Sequence, residues 1–82
     1  MVILPLDKRL VRYLKRHGIE KQFEKQKALF ETNPLHPSLH TELMEPKQFR
    51  VYSFRITRSY RALFFYVGSE AIEITDVNNH YR

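Results

Sequence analysis

Six residues form the candidate set for chemistry in this chain: His36, His40, Glu42, Arg61, His80 and Tyr81. A histidine titrates near neutrality and can move protons, and a carboxylate can accept one. An arginine can hold the extra negative charge of a pentavalent phosphorane, and a tyrosine can stack on a base or donate a proton. These are the parts of a metal-free ribonuclease. In that reaction a base takes the proton of a 2′-hydroxyl, the oxyanion attacks the adjacent phosphorus, and an acid protonates the departing 5′-oxygen. Each residue also has a plain structural reading. His36, within Leu-His-Pro-Ser, can cap a turn, His40 can sit on a strand surface, Arg61 can be an edge-strand charge, and Tyr81 can close the end of the core.

No Gly-rich phosphate loop, HExxH, EF-hand or Ser-centred nucleophile motif occurs, so no cofactor is expected. A metal held by His36 and His40 at i, i+4 needs a helix, and Pro37 lies between them, so no metal is expected either.

The elements that must position these groups centre on a hairpin. Residues 49–56 and 60–67 are rich in aromatic and β-branched types, with polar Thr57-Arg58-Ser59 between them, and they predict two paired strands. Between Pro46 and Ser69 there is no Asp or Glu, whereas Lys47, Arg50, Arg55, Arg58 and Arg61 are all basic. Uncompensated positive charge on an aromatic hairpin points to a polyanion, with Lys47, Arg50, Arg55 and Arg58 as the expected RNA contacts.

Ahead of the hairpin, Val2-Ile3-Leu4 ends at Pro5 and predicts at most a brief strand near an edge. Asp7 offers an N-cap to a helix over Lys8–His17, in which Leu6, Leu10 and Leu14 recur every four residues and Gly18 supplies a left-handed stop. Ile19, Phe23 and Phe30 continue a helical rhythm to Asn33-Pro34, which ends the second helix. The two helices form an antiparallel pair whose apolar face needs a sheet to cover it. Leu39–Leu43 predicts a weakly patterned strand or extended segment. After Gly68-Ser69, Ala71–Val77 alternates as a half-buried strand does. The fold class expected is α+β, a small twisted antiparallel sheet with two N-terminal helices packed on one face.

At 82 residues the chain is read as a single domain, 1–82. Cysteine is absent, which removes disulfides and thiol chemistry, and no charged-then-apolar leader is visible, so a cytoplasmic location is expected. The longest apolar run, Ala62–Val67, is far short of the ~20 residues of a membrane helix. The net charge of +5 fits RNA, DNA, an acidic protein partner or an anionic membrane surface and does not choose among them.

Four stretches together resemble the RelE/ParE superfamily of toxin–antitoxin toxins, and within it the YoeB-like and YafQ-like messenger-RNA interferases. They are Asn33-Pro-Leu-His-Pro-Ser-Leu39, Tyr52-Ser-Phe-Arg-Ile-Thr57, Tyr60-Arg-Ala-Leu-Phe64 and Asn79-His-Tyr81. The resemblance implies cleavage of messenger RNA in the ribosomal A site, and a cognate antitoxin as partner. It implies that Arg61 stabilises the phosphate and that His80 and Tyr81 belong to the catalytic set. The YoeB-like pattern implies a glutamate base near Glu42, and the YafQ-like pattern a histidine base at His36, with His40 a third candidate. Two rival functions stand beside this one: a ParE-like gyrase-inhibiting toxin, and an inactive basic RNA- or protein-binding module.

Overall fold

Alternation along the central strand decides the architecture. In the computed structural model, which describes residues 1–79, strand β4 (Arg61–Val67) buries Ala62 and Phe64 on one face and leaves Arg61, Leu63 and Phe65 on the other. Around it stand β1 (Val2–Ile3), β2 (Glu42–Leu43), β3 (Tyr52–Arg55) and β5 (Ala71–Asn78), in a five-stranded sheet of order β1-β5-β4-β3-β2. Strands β2 to β5 are antiparallel neighbours, and β1 adds to β5 in parallel, so the sheet is mixed rather than antiparallel throughout. Parallel pairing is open to these two strands because no hairpin joins them: both helices and strands β2 to β4 lie between them in the chain.

Helices α1 (Lys8–Arg16) and α2 (Glu20–Thr32) cover the apolar face. Asp7 caps α1, its Oδ1 accepting from the Leu10 N–H at 2.9 Å. Gly18, at φ 67°, ends it: the Gly18 N–H bonds the Lys15 carbonyl and the Ile19 N–H reaches back to that of Leu14, the two bonds of a Schellman close. Leu10, Leu14, Phe23 and Phe30 meet Phe54, Phe64, Ile72, Ile74 and Val77 in one buried cluster. Phe30 is the hinge of the packing, stacked on Phe54 at 5.4 Å and edge-on to Phe64 at 5.4 Å.

Three local features depart from the expected strands. The segment 49–56 is not one strand: Lys47–Phe49 forms a 3-10 turn, Arg50 follows at φ 56°, and pairing begins only at Tyr52. A second 3-10 turn, Pro37–Leu39, occupies the start of Leu39–Leu43 and drops Leu39 into the core, so that only Glu42–Leu43 pairs. In β5 the register steps by one residue between the pairs Phe64↔Ile74 and Leu63↔Asp76. Thr75 is therefore the extra residue of a bulge, and the buried positions change phase from Ile72 and Ile74 to Val77. Among the described residues no helix is long and apolar enough to cross a membrane.

Candidate active site

The sheet face turned away from the helices carries the polar groups. Residues opposite one another on paired strands share a face, so Glu42, Ser53, Leu63 and Asp76 form one row across it, and Arg55, Arg61 and Asn78 form the next. Two arginines directly opposite each other repel, a pairing that in sheets is unfavourable by roughly 0.2–1 kcal/mol. A third, Arg58, comes from the turn that joins their strands, and all three line one small cleft of about 70 Å³. That is well below the ~300–1,000 Å³ of a site built for a whole small molecule, and it suits a single anionic group.

Arg61 is on the second residue row of an inner strand, not an edge, and its side chain is only 13% exposed. Its Nη1 lies 3.4 Å from the Glu42 carboxylate, 3.4 Å from the Ser53 hydroxyl and 3.1 Å from the Met44 sulfur. These neighbours hold the guanidinium against the sheet. Glu42 is 58% exposed, so its carboxylate meets both Arg61 and the solvent side of the cleft. His40 lines the same cleft from the left-handed position (φ 47°) that ends the Pro37–Leu39 turn. Buried Gln26 of α2 fixes both walls, its Nε2 donating to the Arg55 carbonyl at 2.9 Å and the Ser38 carbonyl at 3.3 Å.

The turn between β3 and β4 is held by Thr57, whose Oγ1 accepts from the N–H groups of Ser59 and Tyr60, each at 3.1 Å. Tyr60 lines the cleft beside Arg61, and its hydroxyl shares a hydrogen bond of 3.1 Å with His17 Nδ1 at the end of α1. Tyr13 completes an aromatic cluster there, 4.1 Å from His17 and 6.2 Å from Tyr60 between ring centroids. Burial pushes the Tyr13 phenol above its ordinary pKa, with the neighbouring Tyr60 and Asp76 adding to the shift, so it stays neutral through the physiological range.

The structure thus brings Arg61, Glu42 and His40 together with Arg55 and Arg58. It places His36 differently: that ring accepts from the Ser38 N–H through Nδ1 at 3.1 Å and caps the turn, and His36 is not a lining residue of the cleft. Lys47 and Arg50 lie at the opposite end of β3, where Arg50 borders a second, open concavity with Phe49 and Tyr66. Burial, then the neighbouring Tyr52, raises the Tyr66 pKa. Arg61 pairs with Asn78, so β5 ends across from it, while His80 and Tyr81 lie outside the described residues. Ser53 and Tyr60 fall within the stretches that carry the resemblance but have no role in the sequence reading, and neither has His17. The signal for Ser53 was a hydroxyl within an aromatic run, and for His17 its i, i+4 spacing from Tyr13.

Neither a protein-family model nor a curated protein sequence matches the chain. Among solved structures it is similar to a YoeB/ParE toxin from Agrobacterium tumefaciens, with a TM-score of 0.71 over 98% of this chain and 96% of that one. The chain has the RelE/ParE-like toxin fold. At 17% identity the likeness is one of backbone.

Proposed function

We propose that the chain is the toxin of a type II toxin–antitoxin module and an endoribonuclease that cuts messenger RNA in the ribosomal A site. The observation that carries this reading is the cleft itself, where Arg61 is held low on the sheet by Glu42 and Ser53 and flanked by Arg55, Arg58 and His40. The name of the similar structure, a YoeB/ParE toxin, supports the toxin part.

The reaction uses side chains only. Glu42 or His40 takes the proton of the 2′-hydroxyl, and the 2′-oxygen attacks the adjacent phosphorus. The bond from phosphorus to the 5′-oxygen breaks, which leaves a 2′,3′-cyclic phosphate, and His80 or Tyr81 gives its proton to the departing 5′-oxygen. Arg61 meets the charge that gathers on the non-bridging oxygens as the phosphorane forms. His36 ranks behind Glu42 and His40 as the base, because its Nδ1 is occupied by the Ser38 N–H. Arg55 and Arg58 bind the phosphates next to the reacting one, and Lys47 and Arg50 bind the strand farther along β3. The reading places the protein in the cytoplasm, restrained by a cognate antitoxin that covers this face.

Induced expression with primer extension on a reporter message tests it. The expected result is new 5′ ends within translated codons, lost when translation initiation is blocked. An intact message accompanied by chromosomal DNA breaks overturns it in favour of gyrase inhibition.

A further inference from the structure

Among the described residues two polar side chains are buried, Gln26 and Ser53. Both serve the cleft: Ser53 lines it and accepts from Arg61 at 3.4 Å, and Gln26 donates to a carbonyl in each of the two segments that wall it. Gln26 shares a face of α2 with Phe23 and Phe30, where an apolar residue would simply continue the stripe. A buried amide must be matched by hydrogen-bond partners, a demand that an apolar side chain of the same size does not make.

The amide spans a break in the sheet. Strands β2 and β3 pair at Glu42↔Ser53 and Leu43↔Tyr52, a register that would carry His40 to a place opposite Arg55. The ladder stops short of that pair, because Pro37–Leu39 is a 3-10 turn and His40 follows it at φ 47°, a left-handed conformation uncommon for a residue with a side chain. Across the gap, Gln26 Nε2 bonds the Arg55 carbonyl at 2.9 Å and the Ser38 carbonyl at 3.3 Å, so one group sets how far the turn stands from β3. The turn is also fastened by fully buried Leu39 and by His36, whose Nδ1 accepts from the Ser38 N–H. The turn over Lys47–Phe49 ends in the same way, with Arg50 at φ 56°, yet none of its residues is buried and Phe49 is 67% exposed. Of the two turns, the tightly held one delivers a side chain, His40, to the Arg61 cleft.

We propose that Gln26 is a positioning residue for His40. Its amide fixes the left-handed end of the turn over the cleft, and so the distance from the His40 imidazole to a phosphate held by Arg61. The inference rests on the ribonuclease reading for the reaction it serves. Gln26 acts only through the turn, and a displacement of about 1 Å in a reacting group can slow a reaction ~10²-fold.

The test is a double-mutant cycle in single-turnover cleavage of a message on programmed ribosomes. Gln26→Met, which keeps the bulk of the side chain but has no donor, should lower the rate at saturating ribosomes by ~10²-fold with little change in the concentration that gives half the maximal rate. Gln26→Asn, one carbon too short to reach both carbonyls, should do the same. His40→Ala should slow cleavage at least as much, and adding Gln26→Met to it should change little more, because the group that Gln26 places is gone. In wild type the N–H groups of Leu39 and His40 are bonded within the turn, and in Gln26→Met they should exchange with solvent faster while those of β4 do not. Phe23→Leu, one turn earlier on the same face, should lower the melting temperature and leave the rate near wild type. A folded Gln26→Met protein that cuts at the wild-type rate, a loss that is the same with and without His40, or an equal slowing by Phe23→Leu overturns the positioning role and leaves the ribonuclease reading standing. A wild-type chain that cuts no message overturns both.

Discussion

Arg55 and Arg61 face each other across β3 and β4, with the Glu42 carboxylate 3.4 Å from the Arg61 guanidinium. An ion pair with one partner 58% exposed contributes only about 0–1 kcal/mol to stability, so it is a weak reason to build such a cluster. An anion that enters the cleft and meets three guanidinium groups is a better one. Two outcomes follow at this scale. Glu42→Gln should leave the melting temperature within a few degrees of wild type yet slow message cleavage by ~10²–10⁴-fold, the range of a lost general base, as measured by single-turnover kinetics. An unchanged rate hands that role to His40. Arg61→Lys should recover little of the activity, because an ammonium cannot reproduce the planar contacts of a guanidinium with a phosphate. Arg61, Glu42 and His40 were legible in the sequence as types able to do this chemistry. Their meeting was not, because it depends on which face of β2 Glu42 takes, and two paired residues carry too little alternation to say.

The elements that hold the cleft are those whose sequence signals were strongest. The apolar spacing of Leu10 and Leu14, and of Phe23 and Phe30, located both helices and the core residues they supply, since a helix repeats its buried face every three to four residues. Phe30→Ala should destabilise the fold by ~3–5 kcal/mol, because its ring touches both Phe54 and Phe64, and chemical denaturation would measure it. Gly18→Ala meets no atom within 4 Å, so its penalty comes from the backbone alone, about 1–2 kcal/mol for a side chain at φ 67°. What escaped the sequence were irregularities. Phe49 and Arg50 have strand-like neighbours but belong to a 3-10 turn and its left-handed end, with Phe49 67% exposed. The β5 bulge left only one trace, Val77 out of step with Ile72 and Ile74, yet it turns Asn78 to the row of Arg61. Turn geometry and bulges answer to partners distant in sequence, which local propensity does not see.

Over the whole molecule, a net charge of +5 is spread unevenly, and the hairpin holds its basic residues at both ends of β3. That separation makes a kinetic prediction. Lys47→Ala should raise the apparent KM for message with little change in kcat, and flatten the salt dependence of binding by about one log–log unit, because it touches phosphate away from the reacting bond. Arg58→Ala, in the cleft, should lower kcat as well. Equal effects at the two sites mean that only total charge matters. The central claim is that the Arg61 cleft breaks a phosphodiester bond, and it is tested most directly by single-turnover cleavage of a message on programmed ribosomes, wild type against Arg61→Ala. The account predicts a loss of ~10²-fold or more in the variant, with the same circular dichroism spectrum and nearly the same ribosome affinity. A folded Arg61→Ala protein that cuts the message at the wild-type rate contradicts it.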